Sequence, residues 1–547
     1  MKTQLKPLLL TFFLLLCVLD SQALVCPDHG QAPLCPNSGT TLLDDTYPTQ
    51  AFVISSNTLK NSPQSAKVTS QYIGKIAKSY SYEKLPQVLV TVQTKSEFDQ
   101  IIKELKDVFE KAGLKPDQID SILKQVTHVE APSYTWQQDY FESFIDLKTG
   151  APVLREFESY LSEKAPQLSS NVQKMENAAI GCQLKKGIKF PSLLTDNSVA
   201  NFPPGESFGS GEMGGNTEGA PGGLCLKGDN QSNVLAEDYC GNKENVITLQ
   251  TSWLNVGHVD EIFKIIPSQF SDGRPKECQF SLMAASPKKA LELMESGVNK
   301  SNAFLSLPSK LTPEELELSK KNPRSWSRYR TFGTRDICKA IFAGLRDGSY
   351  VPLKKNLYKN KLNKSVFLDF FMSKAYARAE IEGDLPEDFK CDDYIDEIPN
   401  EFMSDLMKRD ETLKKLNQAI QESIDKDKQK IKQKILSRLP QCLPYFDILD
   451  VPDLFYGSAP IEKNGQLELP RPSDINSFLP NPTNSVVMNR SLLVSESGNN
   501  VFDYYLEEQL KKRKITMEKI DTWDYAHRGY GNIHCSSHSI PYCKPRP

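Results

Sequence analysis

Three short stretches carry side chains equipped for chemistry: "YTWQQDYFES", with Trp136, Gln138, Asp139 and Glu142; "TSWLNVGHVDEIF", with His258 and Asp260; and "GNIHCSSHSIPYC", with Cys535. A cysteine thiolate is a strong nucleophile, and a histidine can serve as its acid/base partner. Two carboxylates, Asp139 and Asp260, suit a planar cation such as guanidinium, which offers fixed N–H pairs on two sides. Together the four residues describe a site for attack on the carbon of a guanidine.

Each stretch also has a plainer reading. Cys535 and Cys543, with seven residues between them, can close a disulfide. A zinc set of His534, Cys535, His538 and Cys543 lacks the familiar ligand spacings, and in a strand the adjacent His534 and Cys535 point apart. A histidine among apolar neighbours is often structural. Period-2 alternation after "NVITLQ" would put His258 and Asp260 on one face of a strand.

The elements that must hold these residues alternate between strand and helix. "QVLVTV" (Gln87 to Val92) is a β-branched run. After it, Phe98, Ile101, Ile102, Leu105, Val108 and Ala112 recur at helical spacing, and Gly113 suits the stop. The apolar run of "CQFSLMAAS" ends at Ser286, an N-cap candidate, and Pro287 suits the first helical position. Near the end, "NSVVMNRSLLV" reads as a tight hairpin, "VFDYYLEEQLKKRK" as a helix and "ITMEKID" as a strand. Such units imply an α/β protein. Between them, "PPGESFGSGEMGGNTEGAPGG" is a linker or a loop whose backbone approaches a ligand; without a GK[ST] ending it is no P-loop.

Residues from about 300 to 440 are charged and mainly helical, and read as an insertion or helical subdomain. Leu413, Leu416, Ile420, Ile424, Ile431 and Ile435 mark one apolar face, and the Lys and Asp run opposite is expected to be solvated.

A hydrophobic fraction of 39% and a charged fraction of 25% fit a soluble globular protein, and a net charge of -3 gives no basis for a nucleic-acid partner. Lys2 and Lys6, the apolar run Leu8 to Leu19 and the small residues of "SQA" read as a cleaved export signal over residues 1–23, too short to span a bilayer. No later stretch is long and apolar enough to span. Export implies an oxidising compartment, periplasmic or extracellular. Of the twelve cysteines, Cys17 leaves with the signal; the remaining eleven leave at least one thiol. Cys26 and Cys35 are placed to close a loop in a Pro-rich segment, residues 24–49.

The stretches, taken in order, resemble the catalytic domain of the protein-arginine deiminases, members of the pentein superfamily. The family's W-x-Q-D-x-x-E is similar to Trp136 to Glu142, its W-L-x-V-G-H-V-D-E to Trp253 to Glu261, and its N-L-E-x-x-P to "NTEGAP". Its P-N-x-x-N resembles "LPNPTNSVVMN", its H-C-G-T-N resembles "HCSSH", and "DILDVPDLF" and "ASPKKALELM" match further. The resemblance covers roughly residues 50 to 300 and 405 to 547. It implies a five-bladed α/β propeller of ββαβ units over residues 50–547, interrupted by a helical insertion at about 300–405. It makes Cys535 the nucleophile, His258 the acid/base, and Asp139 and Asp260 the guanidinium clamp. The reaction so implied turns the arginine of a protein or peptide into citrulline through a covalent thiouronium. The resemblance also implies a calcium ion held by Gln138, Glu142 and Glu218, oxygen donors of the kind calcium takes. Ser536, Ser537 and His538 depart from the family's Gly-Thr-Asn, and Tyr140 stands where a second calcium site has a carboxylate. Two other readings stay open: a deiminase of free arginine or another small guanidine, and a catalytically silent binding protein.

Overall fold

The computed structural model describes residues 34–35, 42–56, 64–82, 84–130, 136–139, 141–146, 151–156, 214–231, 240–295, 304–306, 330–332, 411–471, 475–497, 499–522, 526–527 and 530–543. The export signal, Cys26 and nearly all of the expected insertion lie outside these residues.

The larger sheets follow one pattern. β6 (Thr217–Ala220) runs antiparallel to β7 (Leu224–Gly228), and β7 runs parallel to β8 (Val246–Leu249). The pattern repeats in β9 (Phe263–Pro267), β10 (Phe280–Ser286) and β11 (Asp447–Pro452). It repeats again in β12 (Val486–Met488), β13 (Ser491–Ser495) and β14 (Thr516–Ile520). β4 (Phe141–Asp146) and β5 (Ala151–Glu156) form an antiparallel pair. A four-stranded sheet joins the two ends of the described chain. β15 (Ser537–Pro541) lies antiparallel to β1 (Thr49–Ser55), which is parallel to β2 (Gln87–Val92), itself parallel to β3 (Val126–Glu130).

Helices cross between parallel neighbours. α1 (Gln64–Ser79) links β1 to β2; α2 (Lys95–Lys111) and α3 (Pro116–Leu123) link β2 to β3. The expected stop of α2 is present, and a threonine caps its start. Thr94 Oγ1 accepts the Glu97 N–H, and Gly113 turns the chain at φ +80°. α4 (Pro287–Glu295) begins where Ser286 Oγ accepts the Lys289 N–H at 3.2 Å. α6 (Asn500–Lys512) crosses from β13 to β14, and Asn489, at φ +54°, turns the expected hairpin between β12 and β13.

α5 (Glu411–Arg438) differs from the sequence expectation. All six residues of its apolar stripe are buried; Leu416, Ile420, Ile424, Ile431 and Ile435 pack with Ile265, Leu282 and Phe455 in the main core, so the helix is no separate subdomain. Part of its charged face is buried too. Asp427, 1% exposed, accepts the Gln250 N–H at 2.6 Å, and the Lys428 ammonium lies 2.6 Å from Asp450. Backbone groups at the end of β8 need a partner, and the acidic side chain supplies it.

Three disulfides are present among the described residues: Cys35–Cys543, Cys225–Cys240 and Cys278–Cys442. The first replaces the expected Cys26–Cys35 loop and rules out the alternative Cys535–Cys543 pairing, because β15 returns to β1 and carries Cys543 to the N-terminal segment. It also removes Cys543 from any zinc set. Disulfides of this kind are consistent with an extracellular protein. Among the described residues, no helix is long and apolar enough to cross a membrane.

Asp453, just beyond β11, is 1% exposed, and its Oδ1 accepts from Leu454 N and Ser477 Oγ. Burial outweighs these bonds and raises its pKa to about 8, with Glu261 adding to the effect. The folded chain therefore keeps a proton that the unfolded chain loses above about pH 4. Stability from this group falls as pH rises from about 4 to about 8. Asp453→Asn should flatten that slope, read by urea unfolding at pH 5 and pH 8; equal slopes in variant and wild type would refute the assignment.

Candidate active site

Cys535 sits where the chain end folds back on the N-terminal sheet. Residues 533–536 form a turn ahead of β15, and Ser536 Oγ and Ser537 Oγ both donate to the Ile533 carbonyl, at 3.0 and 2.8 Å. The Tyr72 hydroxyl, on α1, reaches Ser537 Oγ at 2.8 Å. Because this segment is a turn rather than a strand, His534 and Cys535 face the same group. His534 Nδ1 lies 2.7 Å and Cys535 Sγ 3.7 Å from Asp260 Oδ2.

Asn484, one residue of the loop before β12, ties these groups together. Its Nδ2 is 2.8 Å from Asp260 Oδ2 and 3.1 Å from Cys535 Sγ. Its Oδ1 accepts the backbone N–H groups of His534 and Cys535, at 3.0 and 3.3 Å. The loop itself is anchored by Asn481 Nδ2, which donates to the Glu261 carbonyl.

His258 and Asp260 stand on a 3-10 turn, Val259–Glu261, with His258 as its N-cap, and not on the strand that alternation suggests. Glu261 Oε1 accepts the N–H groups of Gly257 and His258 at 3.1 and 2.9 Å and closes the turn. Both side chains still point one way. A Cβ on Gly215 would lie 2.7 Å from His258 Nδ1 and 3.1 Å from Asp260 Oδ2, so only glycine permits the approach. The glycine-dense loop thus earns its composition at Gly215.

The third stretch meets the others through Gln138, in the 3-10 turn Gln137–Asp139. The Gln138 N–H donates to the Cys535 carbonyl at 3.3 Å. A Cβ on Gly531 would clash with Trp136 Cζ3 at 2.5 Å, so Trp136 is pressed against the loop that carries Cys535. Asp139 has its backbone in this same turn; its side chain lies outside the described residues.

Asp260 is fully buried, which disfavours its charge, but the hydrogen bond and charge of His534, with His258 and Lys264, outweigh burial and hold its carboxyl below the usual range. Its Oδ1 meets no partner among the described residues. Burial, then the charge of Glu218, push Glu142 well above its ordinary pKa. Burial also raises Glu218, against the pull of Lys264 and His534. His538 is driven down to about 3 by burial, with His534 and Lys264 adding to it, and is neutral.

The three oxygen donors expected for calcium are already engaged. Gln138 Oε1 faces His538 Nδ1 at 3.1 Å. Glu142 Oε1 accepts the Ser143 N–H at 2.9 Å and lies 3.4 Å from His538 Nε2. Glu218 Oε1 lies 3.7 Å from His534 Nε2, and Glu218 Oε2 3.9 Å from the Lys264 ammonium. Asp45, Glu218 and His534 present atoms within 4.8 Å of one another, but this trio includes a ring nitrogen and the Lys264 ammonium sits 2.5 Å from Asp45. Calcium takes six to eight oxygens at about 2.3–2.6 Å. A set facing an ammonium and two imidazoles does not fit it, and no step below uses a metal.

Sequence reasoning therefore locates His258, Asp260 and Cys535 at one site and misses Asn484, His534 as a partner of Asp260, Asp45 and Lys264. Asn484 closes the "PNPTN" segment, so a signal existed for it. Lys264 in "FKIIP" gives no signal.

Residues 229–326 and 383–542 match the model of the family described as "Protein-arginine deiminase (PAD)". No curated protein matches the chain. Among solved structures, the C. jejuni agmatine deiminase is similar at 10% identity over 92% of this chain and 96% of that one, with a TM-score of 0.39. The agmatine deiminase of Enterococcus faecalis is similar at 11% identity over 94% and 100%, with a TM-score of 0.38. Cys535, His258 and Asp260, gathered at one site, all lie inside the matched segments, over which the chain is similar to that family.

Proposed function

We propose that this protein is exported and hydrolyses the guanidino group of arginine within proteins or peptides, giving citrulline and ammonia. The observation that carries the reading is the bond network of Asn484, which holds Cys535 Sγ and Asp260 on one buried cluster. Protein-bound arginine is preferred to a small guanidine because the matched family acts on protein arginine. Export rests on the N-terminal signal and agrees with the three disulfides. We also read five of the eight sheets among the described residues, four of which contain an antiparallel and then a parallel pairing, as the five blades of the pentein fold.

In the reaction, the guanidinium carbon meets Cys535 Sγ while its N–H groups donate to Asp260 Oδ1 and Asp139. Asp260 stays ionised for this because His534 and Asn484 stabilise its other oxygen. Attack forms the C–S bond. His258 protonates a departing amino nitrogen, the C–N bond breaks and ammonia leaves, giving a thiouronium. His258 then takes a proton from water as it attacks the same carbon. The C–S bond breaks as the new hydroxyl gives up its proton to solvent, and citrulline and the Cys535 thiolate are released. Asn484 Nδ2 is placed to stabilise the sulfur anion in both half-reactions.

Colorimetric citrulline formation from an N-acylated arginine peptide tests this. Wild type should turn over. His258→Ala should lose roughly 10²- to 10⁴-fold, the usual worth of acid/base catalysis, and Cys535→Ser should be inactive. Citrulline from free arginine but not from the peptide would remove the protein-substrate reading, and none from either would remove the enzyme reading.

Asn484→Ala should lower kcat/KM roughly 10- to 100-fold, as expected for a hydrogen bond to a charged group. It should also move the pH profile of iodoacetamide alkylation at Cys535 upward, since the thiolate loses a donor. An unchanged alkylation profile would reduce Asn484 to a structural role.

A further inference from the structure

Lys264 is a buried lysine beside this site, and the reaction as written gives it no task. It is the second residue of β9, 1% exposed, opposite Met283 of β10. Its ammonium lies 2.5 Å from Asp45 Oδ2 and 3.9 Å from Glu218 Oε2. An ammonium buried to this depth needs a carboxylate partner, and the partner needs the ammonium. Asp45 reaches it from the N-terminal segment, residues 42–46, which packs over the sheet of β6. A Cβ on Gly219 would meet the Leu43 carbonyl carbon at 2.5 Å. The same segment is clamped to the chain end by Cys35–Cys543. His538 completes the arrangement: it occupies Gln138 Oε1 with one ring nitrogen and faces Glu142 with the other.

We infer that Lys264 is the resident cation of this site: its ammonium, fixed by Asp45 and Glu218, stands where a divalent ion would sit, so the site assembles without calcium. Lys264 is a positioning residue, since it touches neither Cys535 nor Asp260 directly and acts through Glu218 and the field it casts. The single charge of an ammonium goes far here because Gln138 is neutral, Glu142 is turned toward His538 and burial pushes Glu218 toward its neutral form, which leaves Asp45, at 2.5 Å, as the carboxylate directly paired. The N-terminal segment, by contributing Asp45, becomes part of the catalytic unit rather than a tether.

The role is tied to the deiminase reading, so the test reads binding and stability instead of turnover. The intact wild-type protein, titrated with CaCl2 in a calorimeter, should show no saturable heat at millimolar calcium. Its Tm should be the same in excess EGTA and in millimolar CaCl2. Saturable calcium binding that raises Tm and disappears in Glu218→Gln would overturn the inference. Lys264→Met should melt roughly 5–10 °C lower, because buried carboxylates lose their countercharge. Adding Glu218→Gln to that variant should restore at least half of the loss. No drop in Lys264→Met, or no rescue in the double variant, would equally overturn it. If Lys264→Met fails to fold, the wild-type calcium titration alone decides.

Discussion

The site depends on one requirement: keeping Asp260 ionised with no access to solvent. A carboxylate taken out of water loses much of its hydration energy, and its neutral form is the usual outcome. Here four groups hold the charge. His534 and Asn484 hydrogen-bond to Oδ2, and His258 and Lys264 contribute electrostatically. The arrangement also orients the carboxylate. With Oδ2 saturated, the remaining oxygen is the one presented to an incoming cation. The specificity for guanidinium in the proposed reaction is thus a matter of which oxygen the protein has left for the substrate.

The same requirement explains why the site is assembled from distant parts of the chain. Asp260 comes from the turn before β9, Asn484 from the loop before β12, His534 and Cys535 from the turn before β15. Each arrives at the end of a strand or just ahead of one, where the sheet fixes the backbone and the loop is free to aim a side chain. Closure of β15 onto β1 is what brings the last of these into place. The C-terminal hairpin core packs Val486, Met488, Leu493 and Ile533 against Phe52, Val88 and Val90 of the first sheet. Chain ends that would fray in isolation are therefore part of the hydrophobic core.

What the sequence revealed follows from how local each signal is. α2 was legible because its apolar period and its terminating glycine lie within one stretch. That His258, Asp260 and Cys535 belong together was legible because their residue types are rare in combination, although the backbone that carries them is a turn where alternation suggested a strand. The burial of Asp427 and Lys428 was not legible, since a charged helix face looks solvated until the neighbour that needs those charges is known; that neighbour is 177 residues away, at Gln250. The disulfide partner of Cys543 lies 508 residues away, beyond any argument from spacing. Lys264 is the clearest case. A lysine inside an apolar strand reads as a local inconsistency, and it acquires a meaning only when Asp45 and Glu218 converge on it.

The replacement of the family's Gly-Thr-Asn by Ser-Ser-His then reads as one change with the lysine rather than as drift around a nucleophile. The two serines spend their hydroxyls on the Ile533 carbonyl and shape the turn that presents Cys535. The histidine reaches across to Gln138, whose side-chain amide donates in turn to the Ser537 carbonyl at 3.1 Å and lies 3.4 Å from His534 Nε2. Protein hydrogen bonds therefore run from His538 through Gln138 and His534 to Asp260, with Glu142 lying 3.4 Å from the other ring nitrogen of His538. A metal ion at this place would have supplied charge and geometry at once. In this chain Lys264 supplies the charge, and the turn at "HCSSH" supplies the geometry. The two must change together, because an ammonium cannot orient Gln138 and a histidine held neutral cannot balance Glu218.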